Sequence, residues 1–595
     1  MRAPPSARAV QLDLARDAIF GHLHVPANAA HATAVLIVPP WGWDAVAAHR
    51  SVRAWAQQLA GAGHVTLRFD LPSTGDSGGA PGDPGLLDAW VGAIAATADW
   101  LRAESGCDRI AAIGLGLGGL LAGVAAAGPA RLDDLVLWAA PLRGRAFVRE
   151  QQAFSALQDS RPTAGDAPEP PGLPDGWLEA GGFVLAPPTI AALEPLDLRA
   201  PAPVRLRRAL LLERDGVAVD VAVRTRLQDA GVDVATSPGA GWAAMVAHPE
   251  HSAAPEEVFA AVRLWLAQAR TDRIRPLLRP APAPAPAGVV VASHGTRAHE
   301  SPFVLQTRGR RLSGVLAQPL QPAGGGLCGV FLNAGAVRRI GPNRLWVEAA
   351  RRWAAAGVPS LRIDLDGIGD SDGDDVRFAD VRAFYRRDLV DAVAAVLDEL
   401  QSRGLGEHFV LSGLCSGGYW AFQTAVQDVR VSAAVLLNAG ALEWDDELVT
   451  EREARKVTRL HELDSWRRVL RGDVTKARMR AVAGACARSV IVRHRRVTPG
   501  IDSQLDRLRQ TSTSLVLAFS AGEALHAELA AGGVLARLER WPDIALERLP
   551  GHDHTLRPIP AQRAALALLD RHLAAELARA GARAGGGRGF DVVGA

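Results

Sequence analysis

The run Gly413-Leu414-Cys415-Ser416-Gly417 surrounds one cysteine with small residues. An apolar segment precedes this run and a further glycine follows it, so the sequence predicts a tight turn between a strand and a helix. Such a turn would present the cysteine side chain at its tip. The amino end of a helix also favours a thiolate, because the helix dipole is positive there. We therefore expect Cys415 to be a nucleophile.

Candidates for a base and an acid follow this cysteine in the chain. His552 and His554 lie after the apolar run Ala545–Leu549, and either imidazole could take the thiol proton. Glu523 comes shortly after the apolar strand Leu515–Phe519, where a carboxylate is well placed to orient an imidazole. Two alternative acids follow an earlier strand: Glu443 and Asp445. The three kinds of side chain together suit attack on an ester or thioester carbonyl.

Backbone amides could stabilise the oxyanion that this attack creates. One would come from Ser416, and a second from the loop at Gly335 and Ala336. Arg338 and Arg339 follow that loop. Such a pair usually faces solvent, but it could instead receive a carboxylate, phosphate or pantetheine group. We treat both arginines as candidate substrate-binding residues.

The chain contains two copies of one pattern. Residues 68–79 have the sequence RFDLPSTGDSGG, and residues 362–373 have the sequence RIDLDGIGDSDG. A glycine-rich turn follows each copy, GLGLGG in the first and GLCSGG in the second. Two units separated by roughly 300 residues indicate a duplicated domain and not a solenoid repeat.

Short apolar runs alternate with longer helical patterns in both copies. This alternation predicts an α/β fold, with a mostly parallel, doubly wound sheet in each copy. Gln151–Ala200 and Asp446–Arg495 interrupt the alternation and are predicted to form caps that shape substrate access. The run Pro280–Pro286 alternates proline with alanine and predicts a semi-rigid linker. The predicted parts are an N-terminal domain (1–270), a linker (271–297), a C-terminal domain (298–578) and a disordered tail (579–595).

Composition excludes several other classes of function. Lys and Arg total 66 against 64 Asp and Glu, so we expect no nucleic-acid partner. The four cysteines form no C-x-x-C pair and no Cys/His cluster, which favours a reducing compartment. Neither a signal peptide nor a bilayer-spanning stretch is evident. We expect a cytoplasmic protein without a membrane partner, a metal or an organic cofactor.

The second copy resembles the serine-aminopeptidase-like (S33-type) branch of the α/β hydrolases. The matching stretches are NAGAVRRIGPNRLW, LRIDLDGIGDS, GLCSGG, FSAGE and GHDHTL. The resemblance implies a tandem pair of α/β-hydrolase domains. It also implies that His554 is the base, since the last motif in such proteins usually has the form Gly-x-Asp-His. Glu523 occupies the place of the usual aspartate. A cysteine in this turn is similar to that of dienelactone hydrolases and polyhydroxyalkanoate synthases.

The first copy resembles the same branch in VLIVPPWGW and LRFDLPSTGDS, but Gly116 stands at the nucleophile position. Glycine has no side chain to attack a carbonyl, so we expect this domain to be inactive. Asp215 lies at an acid position, and His248 or His251 could be a former base. The GLGLGG run superficially matches a dinucleotide fingerprint, but no acidic residue completes that pattern.

Together these features predict a thiol-dependent acyl hydrolase, an esterase or thioesterase, that acts through a cysteine acyl-enzyme in a biosynthetic pathway. The substrate would be a small-molecule acyl ester or thioester, free or carrier-linked. One alternative is an acyltransferase, because hydrolysis and transfer share the same acyl-enzyme. Another is a non-catalytic binding protein in which both copies have lost their chemistry.

Overall fold

A computed structural model describes residues 6–14, 16–27, 29–30, 32–159, 172–201, 203–268, 275–276, 288–444 and 500–586. Two large sheets dominate this part of the chain, and helices cover both faces of each sheet. We call the unit around the first sheet the N-lobe and the unit around the second sheet the C-lobe.

The N-lobe sheet has eight strands, of which the last six run parallel. In spatial order they are Ser6–Leu14, Asp17–Val25, Thr66–Phe69, Thr33–Val38, Arg109–Leu115, Asp134–Trp138, Arg208–Leu212 and Asp233–Ser237. Its helices are Trp43–Gly61, Leu86–Ser105, Leu117–Ala127, Gly144–Asp159, Pro187–Leu193, Val221–Asp229, Trp242–Met245 and Glu256–Ala267.

The C-lobe sheet has the same order with one extra antiparallel strand at its edge. Its nine strands are Val289–Ser293, Thr296–Thr307, Arg310–Gln318, Ser360–Asp364, Leu327–Phe331, His408–Leu414, Val431–Leu437, Ser514–Phe519 and Ile544–Arg548. Its α-helices are Leu345–Ala355, Arg387–Ser402, Ser416–Gln427, Gly500–Gln510, Ala524–Ala531 and Ile559–Gly586.

Apolar runs became strands where both of their faces could be covered. Thr33–Val38 and Val431–Leu437 are buried at every position, as parallel strands between two layers of helices must be. The predicted fold class, an α/β fold with a mostly parallel, doubly wound sheet in each copy, is therefore confirmed. Within the described residues, no helix has both the length and the apolar character to cross a bilayer.

The domain limits stay predictions, but two of them need correction at their edges. Strand Val289–Ser293 falls inside the predicted linker 271–297, yet it pairs with the next strand of the C-lobe sheet. The predicted tail began at 579, whereas helix Ile559–Gly586 continues past that point because its alanines favour helix. The proline–alanine run 280–286 lies outside the described residues.

The two predicted caps differ in how much of them can be described. Helix Gly144–Asp159 extends into the predicted cap Gln151–Ala200. The cap also contains the hairpin Leu178–Ala180 and Phe183–Leu185 and the helix Pro187–Leu193. The second cap, Asp446–Arg495, lies outside the described residues.

The repeated motif folds into the same turn in both lobes. Asp70 accepts the amide of Asp76 at 2.9 Å, and Asp364 accepts the amide of Asp370 at 3.0 Å. Gly75 precedes Asp76 and Gly369 precedes Asp370, and both glycines have a positive φ. A Cβ on either glycine would collide with the carboxylate that closes its turn, that of Asp70 or Asp364. The motif therefore fixes a compact acidic turn at the end of a strand.

These turns bring the lobes together through reciprocal ion pairs. Arg68 of the N-lobe pairs with Asp370 of the C-lobe, and Arg362 of the C-lobe pairs with Asp76 of the N-lobe. Arg68 and Arg362 occupy equivalent positions in the two copies, as Asp76 and Asp370 do. The lobes thus meet with approximate twofold symmetry, as two subunits of a homodimer would.

Burial and pairing shift the pKa values of this interface in opposite directions. Burial raises the pKa of Asp76, but Arg339 and Arg362 more than offset that effect and lower it to about 2. Burial lowers the pKa of His49 to about 4, although Asp370 acts in the opposite direction. The interface therefore holds ionised acids next to a neutral histidine at neutral pH.

Acidification should destabilise the protein through His49. The unfolded chain binds a proton near pH 6.5 and the folded chain only near pH 4, so this residue removes about 2 kcal/mol of stability between pH 7.5 and pH 5. Asp76 adds nothing to that change, since its contribution is lost only below about pH 4. We expect His49→Gln to reduce the pH dependence of urea unfolding, followed by tryptophan fluorescence.

The control is His294→Gln, at a side chain that is 58% exposed. It should leave the difference between pH 7.5 and pH 5 as it is in the native protein. If the free energy of unfolding changes equally between pH 7.5 and pH 5 in the native protein and both variants, the role given to His49 is contradicted.

Candidate active site

Cys415 lies between strand His408–Leu414 and helix Ser416–Gln427, as the sequence predicted. Its backbone has φ 58° and ψ −118°, a strained conformation for any residue with a side chain. Its amide donates to Leu437 O at 3.1 Å, and its carbonyl accepts from Gly418 and Gly440. Neighbouring strands therefore hold the turn, and the thiol remains partly accessible.

Two glycines explain why this turn tolerates few other residues. A Cβ on Gly413 would run into the backbone of Gly417, and a Cβ on Gly417 would run into the carbonyl of Asn333. We call the strand–helix turn at Cys415 the elbow. The close approach of these segments brings the elbow to the loop that follows strand Leu327–Phe331.

The predicted acid and base lie together. Nδ1 of His554 is 3.0 Å from both carboxylate oxygens of Glu523. The thiol of Cys415 lies close enough to the same imidazole to raise its pKa. Because Glu523 takes Nδ1, Nε2 is the nitrogen left for the thiol. The thiol, the imidazole and the carboxylate are therefore neighbours, and the imidazole and carboxylate are hydrogen-bonded.

Charge at this site favours a protonated imidazole. Burial lowers the pKa of His554, but the contacts with Cys415 and Glu523 outweigh it and raise that pKa well above its ordinary value. A histidine next to a carboxylate and a thiol can therefore hold the proton that the thiol gives up.

The alternative residues lie elsewhere. Nδ1 of His552 is 3.1 Å from the carbonyl of Ala521, so this histidine does not replace His554 beside Glu523. Glu443 accepts a hydrogen bond from Gln504 at 2.8 Å. Asp445, the other alternative acid, lies outside the described residues.

Sequence reasoning missed Asn438, which ties three parts of the site together. Its side chain donates to Ser520 Oγ and to the backbone carbonyl of His554, both at 3.0 Å, and accepts the amide of Ser520 at 2.7 Å. A buried asparagine directly after strand Val431–Leu437 was the available signal, because a polar residue at a strand end needs partners.

The predicted oxyanion residues Ser416, Gly335 and Ala336 lie beside the elbow. Ser416 follows the cysteine at the first position of its helix. Its hydroxyl accepts the amide of Gly335 at 3.2 Å and so joins the elbow to the loop. The sequence predicts a role for the amide of Ser416 alone, and its hydroxyl is a further link between the two segments.

The prediction that Arg338 and Arg339 bind substrate is wrong in this structure. Arg338 is 7% exposed and pairs with Asp70 of the N-lobe, with contacts of 2.8 and 3.2 Å. Arg339 is fully buried against three carboxylates: Asp76, Asp364 and Asp370. Both guanidinium groups are committed to the lobe interface and are not available to a substrate anion.

In the N-lobe, a tryptophan ring lies beside the position that corresponds to Cys415. Gly116 has φ 52° and ψ −129°, so the elbow conformation persists without a nucleophile. A Cβ on Gly116 would lie 3.4 Å from the ring of Trp242. Trp242 is the fourth residue after Pro238, as His554 is the fourth after Pro550.

Trp242 therefore takes the place of the base, which corrects the suggestion of His248 or His251. Asp215 remains at the acid position, where its carboxylate accepts the amides of Gly241 and Ala243. Aligning PGAGWAAM with PGHDHTL within the sequence would have located this tryptophan.

A cluster of three aromatic side chains lies near Cys415. Tyr385 stacks on Trp444 with ring centroids 3.7 Å apart and meets Tyr419 edge to face. A Cβ on Gly440 would lie 3.9 Å from Cys415 Sγ and 2.5 Å from the Tyr385 hydroxyl. The hydroxyl of Tyr385 therefore lies in the neighbourhood of the thiol, and the other two rings pack against Tyr385. The described residues contain no group of three or more His, Cys, Asp or Glu suited to a metal ion.

Comparisons with known proteins return solved structures alone. No family model and no curated protein matches the chain. Est1E from Butyrivibrio proteoclasticus, solved with ferulic acid bound, is 17% identical and covers 46% of this chain and 99% of its own, with a TM-score of 0.31. The dienelactone hydrolase from Anabaena variabilis is 15% identical over 46% and 94%, with a TM-score of 0.29.

A third match is the thioesterase domain from the curacin biosynthetic pathway, at 14% identity over 45% and 98% with a TM-score of 0.28. Each match spans less than half of this chain. At these identities and scores the chemistry has to be argued from the site itself.

Removing the charge of Glu523 should lower the pKa of His554. Glu523→Gln keeps the shape of the side chain but removes the carboxylate that favours the imidazolium. We expect the His554 titration midpoint, followed by NMR of the imidazole Cε1 proton, to move down from its value in the native protein. Glu539→Gln, at an exposed position of the same lobe, is the control and should leave it in place. A midpoint unmoved by Glu523→Gln would contradict the pairing.

Proposed function

We propose that the protein is a thiol-dependent acyl hydrolase whose nucleophile is Cys415. The observation that carries this proposal is the grouping of Cys415, on a strained strand–helix turn, with the hydrogen-bonded pair His554 and Glu523. Strain at a side-chain-bearing residue is a feature of sites that hold a nucleophile in one orientation.

The reaction follows from the positions of these groups. Sγ of Cys415 attacks the acyl carbonyl carbon and its proton passes to His554, while the carbonyl π electrons move to oxygen. Collapse of the tetrahedral intermediate expels the alcohol or thiol, which takes the proton from His554. Water then attacks the acyl-enzyme, gives its proton to the same imidazole, and releases the carboxylic acid and the regenerated thiol.

Glu523 supports each proton transfer without taking part in bond formation. Its carboxylate holds Nδ1, which fixes the ring and leaves Nε2 to take the thiol proton. The same charge stabilises the imidazolium that exists while the tetrahedral intermediate is present. The amides of Ser416 and Ala336 would stabilise the oxygen anion, because the amide of Gly335 already donates to Ser416 Oγ.

The surroundings of the thiol favour an uncharged, apolar acyl group. Tyr385 lies beside Gly440 and near Cys415, and Tyr419 and Trp444 pack against its ring. Aromatic rings bind apolar and aromatic groups by burying their surface. We therefore propose small esters and thioesters with apolar or aromatic acyl chains as the substrate class.

Loss of the thiol should abolish acylation. We expect Cys415→Ala to lower ester and thioester turnover by about 10⁴-fold or more, and His554→Ala by a comparable factor, because nucleophile and base act as a unit. The measurement is intact mass after incubation with p-nitrophenyl esters and N-acetylcysteamine thioesters of butyric and phenylacetic acids, together with turnover.

The control is Cys107→Ala, which removes a buried thiol of the N-lobe and should retain both adduct and turnover. Release of the adduct by water supports a hydrolase, while release only after an alcohol or amine is added would establish an acyltransferase instead. Absence of any adduct or turnover with the native protein would contradict the proposal and favour a binding protein.

A further inference from the structure

We infer that Asp70 of the N-lobe is a positioning residue for the C-lobe site: it holds Arg338 and, through it, the oxyanion loop Asn333–Ile340. This inference rests on the function proposed above. It also gives the N-lobe, whose own elbow carries Gly116, a part in the reaction of the other lobe.

The oxyanion loop is tied down at several points, and most of them lie within the C-lobe. The side chain of Asn333 donates to Val337 O at 3.1 Å and to Asp364 at 2.9 Å. The amide of Gly335 reaches Ser416 Oγ at 3.2 Å. The amide of Arg339 donates to Asp364 at 2.6 Å.

The side chain of Arg338 is held from the other lobe. Its Nη1 and Nη2 donate to the two oxygens of Asp70 at 3.2 and 2.8 Å. A two-bond guanidinium–carboxylate pair fixes direction as well as distance. Because Arg338 lies two residues after Ala336, its position constrains the amides that would receive the oxyanion.

Asp70 is itself rigidly placed. One of its oxygens accepts the amide of Asp76, and the positive-φ turn at Gly75 packs directly against the carboxylate. Asp70 and Arg338 are 14% and 7% exposed, so neither can exchange its partner for water at little cost. The pair therefore transmits the position of the N-lobe turn to the C-lobe loop.

Other N-lobe groups contact the same region. A Cβ on Gly335 would lie 2.8 Å from Glu250 Oε1, so the N-lobe reaches the oxyanion loop at a second point. The start of the helix that follows His554 is contacted as well. The carbonyl of Gly182 accepts from Gln562 at 2.9 Å, and Glu179 accepts the amide of Ile559 at 3.3 Å. The oxyanion loop and the helix after His554 thus both contact the N-lobe.

The test compares two reactions of Cys415 in Asp70→Asn. Asparagine keeps an oxygen for the amide of Asp76 but loses the charge that holds Arg338. Acylation by p-nitrophenyl butyrate creates an oxyanion and should slow about 10-fold or more, since small displacements of oxyanion donors have effects of that size. Alkylation by iodoacetamide creates no oxyanion and should proceed at the native rate.

Two further variants separate positioning from damage to the fold. Arg338→Lys keeps the charge and can make one contact to Asp70, so it should acylate at a rate between those of the native protein and Arg338→Met. Combining Asp70→Asn with Arg338→Met should slow acylation no more than Arg338→Met alone, because both changes break one interaction. Asp197→Asn, which removes an ion pair with Arg199 inside the N-lobe, is the matched control.

Each outcome separates this inference from the proposed function. If Cys415 is acylated at the native rate in Asp70→Asn, the inference alone is overturned. It is also overturned if the rates of acylation and alkylation fall equally, because that result indicates a general disturbance of the fold. If Asp70→Asn does not fold, an acylation rate of Arg338→Lys equal to that of Arg338→Met overturns it instead. A native protein that is alkylated at Cys415 but never acylated would overturn the proposed function and with it this inference.

Discussion

The structure depends on the neutralisation of charges that are buried between the two lobes. Arginines from both lobes meet carboxylates from both lobes with little or no contact with water. The arginines are Arg68, Arg338, Arg339, Arg351 and Arg362, and the acids are Asp70, Asp76, Glu300, Asp364 and Asp370. A buried ion pair seldom adds much stability over an apolar contact, but the loss of one partner is strongly destabilising. The cluster therefore specifies how the lobes meet more than it adds to the free energy of folding.

This constraint explains why the repeated motif has its particular residues. The aspartate at the strand end closes its own turn, and the acid within the turn receives an arginine of the opposite lobe. One short sequence thus makes both a local structure and half of an interface. When the two copies meet, each supplies what the other needs, and the oxyanion loop lies directly beside the contact through Arg338.

The sequence predicted the features that depend on local pattern. The elbow at Cys415 and the two sheets follow from glycine spacing and apolar alternation, which are properties of a few neighbouring residues. The positions of His554 and Glu523 followed from chain order together with the family resemblance. The burial of Arg338 and Arg339 could not be predicted because their partners lie in other segments, among them Asp76 and Asp70, the latter 268 residues before Arg338. Trp242 was not predicted because the search for a former base in the N-terminal copy considered histidines alone. The structure instead places a tryptophan at the position of the histidine.

Fusion of the two lobes into one chain follows from the same electrostatics. If the lobes were separate subunits, each would expose unpaired arginines and acids on the contacting face, and assembly would depend on concentration. A covalent connection makes the encounter intramolecular, so the ion pairs form at any protein concentration. A lobe with Gly116 at its strand–helix turn and Trp242 beside it can then contribute through the contacts that it makes with its neighbour. Its remaining requirement is to present Asp70, Asp76 and the hairpin residues Glu179 and Gly182 in register, which an intact sheet does whether or not it can catalyse a reaction.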